Sequence, residues 1–595
     1  MIQLKTRWAD GITAENVHRE YPRPGLVRNS YLNLNGKWEY CINQSTDVTQ
    51  YDGEILVPFS PESLLSGVMR IVKPENYLHY RKIFTLPKGF RKERVLLHFG
   101  AVDQECTIYL NGNRVGSHSG GYTAFSFDVT NYISDGDNML TICVKDMTEK
   151  KTHARGKQKL EKHGRLSYLF YTPQSGIWKT VWMESVPADY IYRVRITPQY
   201  DEAAVQVNVQ TSQTGTKAFV KVLDAGSIIT EANIKTNTEA LIRLGEFIPW
   251  TPEHPHLYDL EIHYGDDKVT SYFGMRKFHV EKDHKGILRF FMNNKPYFFN
   301  GVLDQGYWPE SLLTPPTDEA LVHDIAKLKE LGFNTIRKHV KVESDRFYYH
   351  CDRLGMIVWQ DMPNGGGDYN MLFVTCLPNR FPRFGRTIRD HHYKLFKRID
   401  AEGRNQYYND LREMIDQLYN FPCIAAWVPF NEGWGQFDAS EATKRIRAQD
   451  KGRLINEACG WFDQGGGDMY SIHNYSSGLK IKPQSNRVVA LTEFGGYAYA
   501  DPGHLACEKR FGYQSFPSRE ELTQHYRQLW EQEIYPNIQN GLSAAIYTQT
   551  SDIEEEINGI FTYDREHIKL IEDDLKEINR KLYRIWEDTV TNSQN

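Results

Sequence analysis

The chain has 595 residues, a net charge of −5, 40% hydrophobic and 25% charged residues. That length exceeds one hydrophobic core and predicts three or four domains. The near-neutral balance gives no electrostatic footing for nucleic acid or an anionic membrane.

In chain order, MIQLKTRWADGITAEN lacks a basic segment followed by an apolar stretch, so no signal peptide is expected. No apolar run approaches the ~18 residues of a membrane span. The eight scattered cysteines show no C-x-x-C, which suits buried free thiols in a reducing cytoplasm and no structural metal. Aromatic residues reach 13%, including 12 Trp and 36 Tyr, which fits large sandwich cores and also stacking on sugar faces. Residues 31–188 read as short alternating strands (YRKIFTLP, RVLLHFGAV, ECTIYLNGNRVG) separated by turn signals such as Asn111-Gly112-Asn113. They predict a jelly-roll sandwich, with a first domain over 1–188. Strands continue over 189–281, about the length of an immunoglobulin-like sandwich.

From about residue 282 strand-like runs alternate with helical ones. DEALVHDIAKLKELG places Leu321, Ile325, Leu328 and Leu331 on one face and stops at Gly332. About eight strand candidates follow in alternation with helices, enough to close a (β/α)8 TIM barrel over 282–595. Residues 363–400 are too long for a routine loop and predict an insertion over the site.

Two of the barrel strands end on carboxylates followed by glycine: WVPFNEGWG at Asn431-Glu432, and VVALTEFGG at Glu493. A charge at the C-terminal end of a buried strand suits the catalytic face of a barrel better than its core. Two such carboxylates are what glycosidic bond cleavage needs. A non-catalytic carbohydrate-binding protein on the same scaffold is the reading from another class; the presence of both carboxylates argues against it.

Taken in order, LNGKWEY, LHFGAVDQECTIYLNGNRVGSHSGGYTAFSFDVT, SGIWKTVWME, NNKPYFFNGV and the two carboxylate motifs resemble glycoside hydrolase family 2 over essentially the whole chain. The resemblance implies a retaining hydrolase of terminal β-glycosides by a route that needs no redox cofactor; metal-assisted galactosidases of the family keep extra carboxylates near the acid/base, and this sequence shows no secure equivalent, so no cofactor and no metal are expected. It assigns Glu432 as acid/base, Glu493 as nucleophile, and Asn431 as the residue that hydrogen-bonds the sugar 2-hydroxyl. Tyr475, after the sixth strand, matches a tyrosine that touches the nucleophile. His339 lies where the family has an Arg-x-x-His pattern, here one residue shorter. Asp304, His473 and Trp434 are further candidates for substrate contact. Asp361 either touches substrate or supports a neighbour, and Arg337 is as readily a buried ion-pair partner. Tyr547 and Gln549 replace the tryptophan often found on the last strand.

The basic stretch 150–165 reads as a solvated loop, with substrate contact by Arg155 and Lys157 as the alternative. Glucuronidases of the family carry an Asn-x-Lys that clamps the substrate carboxylate. Here EEEINGIFTYDR puts Ile557 and Asn558 in those places, behind Glu554, Glu555 and Glu556. A neutral sugar follows, with β-galactosides first and β-glucuronides, mannosides or arabinopyranosides as alternatives. The partner expected is a carbohydrate substrate, with neither nucleic acid nor membrane; the sequence is compatible with a homo-oligomer.

Overall fold

The computed structural model describes residues 4–591 apart from 152, 161–166, 368 and 477. The basic stretch expected as a solvated loop thus falls partly outside the described residues. Three domains follow one another. In the first, a six-stranded and a four-stranded antiparallel sheet face each other, formed by strands between Leu32 and Val186. Strict alternation builds this sandwich: Glu105–Leu110 buries every second residue, and Cys106, Ile108 and Leu110 join Trp38, Phe99 and Val144 in its core. The Asn111-Gly112 dipeptide turns that strand back on itself, pairing Leu110 with Asn113. Both turn residues have positive φ, as a two-residue hairpin requires.

The second domain packs a three-stranded sheet on a four-stranded one, over Ile191–Phe273. Arg28, in the N-terminal segment, pairs with Glu184 of the first sandwich at 3.2 Å and Asp267 of the second at 2.8 Å. A small antiparallel sheet of Phe278–Lys282, Leu288–Met292 and Lys295–Pro296 leads into the third domain.

The third domain is a parallel barrel of β1 (Phe299–Asp304), β2 (Thr335–Lys338), β3 (Ile357–Asp361), β4 (Ile424–Val428), β5 (Leu454–Ile455), β6 (Met469–Asn474), β7 (Val488–Gly495) and β8 (Leu542–Thr548). Ladders join them in the order β5-β4-β3-β2-β1-β8-β7-β6. Between β5 and β6 the described residues form no ladder; Asp468 N–H donates to Ile455 O at 2.8 Å instead. All the strands except β6 are buried along their whole length, as expected where helices cover a parallel sheet.

Helix α1 (Asp318–Glu330) follows β1. Its cap is Thr317, whose hydroxyl accepts from Ala320 N–H, and its expected face is buried at Leu321, Ile325 and Leu328. Gly332 ends it at φ +94°, where a Cβ would lie 2.8 Å from Asn579 Cβ. Helices α2 (Asp345–Leu354), α3 (Ala401–Leu418), α4 (Ala439–Gln449), α5 (Arg519–Leu529) and α6 (Glu572–Val590) complete the outer layer. The cysteines are all free; five are buried, Cys143 and Cys507 are half-buried, and Cys376 is exposed, a departure from the expected burial. No helix among the described residues is long and apolar enough to cross a membrane.

Candidate active site

The upper ends of the barrel strands converge on a closed network around Arg337, at the end of β2. Its side chain is wholly buried. Nε and Nη2 donate to the two oxygens of Asp361, at 3.0 and 2.9 Å. Nη2 also donates to Asn431 Oδ1 at 2.8 Å, and Nη1 to Glu493 Oε1 at 2.9 Å and Thr492 O at 3.2 Å. The planar fork of a guanidinium is suited to gripping three strand ends at once. Arg337 is thus an ion-pair partner that fixes the nucleophile candidate.

Glu493, near the end of β7, receives a second hydrogen bond at 2.5 Å from the Tyr475 hydroxyl to Oε2. Burial opposes its ionisation, but His473 and Arg337 outweigh this and hold the carboxyl at about 2. Tyr475 stacks on Tyr513 with ring centroids 3.6 Å apart, which fixes its hydroxyl direction.

Glu432 follows β4 in a turn with φ +52° at Glu432 and +74° at Gly433. Its N–H donates to Cys459 O at 2.8 Å. His473 Nδ1 donates to Glu432 Oε1 at 2.8 Å and stands 3.4 Å from Glu493 Oε2. One oxygen of each glutamate and a ring nitrogen of His473 lie within 4.8 Å of one another. Such a triad is close enough to grip a divalent ion, and it is the one group of that kind among the described residues. The His473 ring and the Arg337 guanidinium already lie against these carboxylates. Burial disfavours the imidazolium, yet Glu493, Cys459 and Glu432 prevail and raise His473 to about 10.

The cavity above this network is lined by His339, Asn431, Glu432, Trp434, Tyr475 and Glu493, all expected at the site. Three other candidates, His473, Asp361 and Asp304, do not line this cavity. His473 lies behind the carboxylates with no exposed side-chain surface, both ring nitrogens being engaged by Glu432 and Cys459. Asp361 is spent on Arg337 and on His339 Nδ1, which donates to it at 2.8 Å. Asp304 faces Lys338 at 2.6 Å; burial pushes its carboxyl up, and the Lys338 ammonium more than reverses this. Burial drives His339 down to about 4 against the pull of Asp361, leaving a neutral ring beside the cavity.

Trp434 packs under the insertion, in a cluster with Phe170, Tyr369, Phe373, Phe396 and Phe462, while an edge of it reaches the cavity. Trp461, Tyr513 and Thr548 also line the cavity and are not among the residues expected there; Lys157, the alternative reading of the basic stretch, and Glu556, of the acidic run expected to disfavour a uronate, line it too. Trp461 and Thr548 follow strand ends and could have been found by strand counting. Lys157 and Glu556 lie on loops of different domains, which no spacing connects.

Models of three successive parts of glycosyl hydrolases family 2 match the chain: the sugar binding domain over 47–187, the central domain over 189–276 and the TIM barrel domain over 285–567. The chain is 24% identical over 504 residues to a β-galactosidase of Thermoanaerobacter pseudethanolicus, covering 79% of this chain and 61% of that protein. It is 24% identical over 432 residues to a β-glucuronidase of Bacteroides fragilis, covering 67% and 56%. It thus spans less than two thirds of the length of these relatives. Among solved structures, a Ruminococcus gnavus β-glucuronidase superposes with a TM-score of 0.75 at 17% identity, covering 95% of this chain and 99% of that one. An Eisenbergiella tayi β-galacturonidase bound to galacturonate superposes at 0.70 and 17%, covering 94% and 99%. Three consecutive family models over most of the chain, in the order of the three domains observed, establish that it belongs to glycosyl hydrolases family 2.

Proposed function

We propose that this chain hydrolyses terminal β-glycosides with retention of configuration, a β-galactoside being the preferred substrate. The observation that carries the reaction is the pair of strand-end carboxylates with oxygens within 4.8 Å of each other. That is the short spacing of a double displacement; an inverting site leaves ~6.5–9.5 Å for a water. Their surroundings divide the labour. Glu493, kept ionised by His473 and Arg337, attacks the anomeric carbon. Glu432 gives a proton to the leaving oxygen as the glycosidic bond breaks. Water then enters, Glu432 takes its proton, and the hydroxide releases the sugar from Glu493. His473, hydrogen-bonded to Glu432 and close to Glu493, balances the charge that moves between them.

The neutral sugar rests on the loop after β8. Asn558, at the position of the expected lysine, donates to Glu556 Oε1 at 3.0 Å and does not line the cavity, whereas Glu556 does. The names of the relatives divide between galactosidase and glucuronidase, so substrate choice is the experiment. A panel of nitrophenyl β-galactoside, glucuronide, mannoside, fucoside and arabinopyranoside should show highest kcat/KM on the galactoside. Turnover of none of them would overturn the hydrolase reading; a preference for the glucuronide would overturn the choice of sugar.

A further inference from the structure

We infer that Lys157 and Glu556 together read a single hydroxyl group of the sugar, and so select a neutral glycoside. The inference rests on the glycosidase reading above and assigns it a specificity device built from two domains.

Residues 154–158 leave the first sandwich and are laced to the barrel rim. Ala154 bridges Gly365, and the N–H groups of Arg155 and Gly156 donate to Asn364 O at 3.0 and 3.2 Å. Gly156 has φ +60°, and a Cβ there would meet Val340 O at 2.7 Å and Tyr122 Oη at 2.8 Å. Arg155 turns away and braces the loop, donating to Gln158 O at 2.5 Å. Lys157 instead reaches the catalytic cavity, 7% exposed. Its ammonium lies 5.4 Å from the Trp434 ring centroid and 5.8 Å from that of Tyr171. No described carboxylate pairs with it within the 4.0 Å of an ion pair. An ammonium that lies against aromatic rings and has no carboxylate partner keeps donors for a ligand in the cavity.

Glu556 lines the same cavity and is held by neutral donors only. Asn558 donates to Oε1, and the Tyr171 hydroxyl donates to Oε2. Behind them Gln305 donates to Tyr171 Oη and to Gln549 Oε1, each at 2.6 Å, and Gln549 donates to Asn558 at 2.8 Å. This amide chain keeps the carboxylate from swinging onto Lys157. A donor with no acceptor and an acceptor with no cation therefore face one cavity. A hydroxyl satisfies both, accepting from the ammonium and donating to the carboxylate. A uronate carboxylate satisfies the first alone and is repelled by the second.

The test uses Lys157→Met and Glu556→Gln in the full chain, with Lys157→Arg as a charge-retaining control and thermal melts to confirm folding. Kinetics are read on nitrophenyl galactoside, on the glucuronide, and on the arabinopyranoside and fucoside, which lack the 6-hydroxyl, beside a 4-deoxygalactoside. Each variant should lower kcat/KM on the galactoside about 10–100-fold, as loss of a charge-assisted hydrogen bond does. The effect should vanish on the arabinopyranoside and fucoside if the 6-hydroxyl is read, or on the 4-deoxygalactoside alone if it is the 4-hydroxyl. Glu556→Gln should raise the glucuronide-to-galactoside ratio. Variants within twofold of wild type on all substrates would overturn the inference. So would a wild-type glucuronide preference abolished by Lys157→Met. If no glycoside is hydrolysed, the reaction itself fails, and calorimetry with galacto-configured isofagomine decides separately. Weaker binding to both variants supports the pair, and unchanged binding refutes it.

Discussion

Replacing Arg337 by methionine tests whether one guanidinium both holds the barrel mouth together and keeps the nucleophile ionised. The variant strips Asp361, a fully buried carboxylate, of its bidentate partner and leaves His339 as its principal hydrogen-bond donor. Breaking a buried pair on one side costs about 3–5 kcal/mol. It also removes the charge-assisted bonds to Glu493 and Asn431, worth about 1.5–3 kcal/mol each, so kcat/KM should fall about 10²–10⁴-fold. The pH dependence gives the sharper signature. Glu493 is held at about 2 against an ordinary 4.5, so its contribution to stability is present above pH 4.5 and lost as pH falls through about 2. Without Arg337 the carboxyl rises, and the acid limb of kcat/KM moves to higher pH with it. Rates on the preferred nitrophenyl glycoside, with thermal midpoints at pH 7 and pH 4, report both effects. An unmoved acid limb with an unchanged midpoint would refute the argument.

Glu493→Gln should lose on the order of 10⁴-fold in turnover, because a neutral amide cannot form the glycosyl-enzyme; near-native rates in clean protein would move the nucleophile elsewhere. Azide should restore turnover of an activated substrate by Glu432→Ala, and failure of every small anion to do so would count against Glu432 as acid/base. Proton NMR in the first minutes should show β-sugar, whereas α-sugar appearing first would mean inversion. His473, raised to about 10, adds stability that is complete below pH 6.5 and lost as pH rises through about 10. His473→Phe should therefore lower the thermal midpoint at pH 6.5 and flatten its fall towards pH 10, and an unchanged profile would show that the imidazolium does not bridge the carboxylates.

Periodicity made the elements legible, while the contacts among strand ends were not. Helix α1 shows its buried face and its glycine stop in the sequence because both are local. Strand β5 pairs only at Leu454 and Ile455, the ladder resuming as a single bridge between Asn431 and Cys459. Tyr475 is expected at a strand end beside the nucleophile candidate because the family resemblance implies a tyrosine there, and its hydroxyl does donate to Glu493. His473, two residues earlier, was named a substrate contact and lies behind the carboxylates instead, since the direction of a strand-end side chain depends on what fills the barrel. Asp304 was assigned to sugar hydroxyls because Lys338, which captures it, belongs to a different strand.

The Tyr171 hydroxyl that steadies Glu556 crosses 385 positions of chain. During synthesis the first sandwich emerges and can fold long before the loop it must meet. A wall of the candidate site is therefore fixed by a long-range contact that becomes available only late in synthesis. Truncation near the C-terminal end would leave two intact sandwiches and an unfinished pocket. In the other direction, a barrel expressed without its first sandwich would lack Lys157, Tyr171 and the floor beneath Trp434. Exchange of the first domain between relatives would transplant part of the substrate choice along with it.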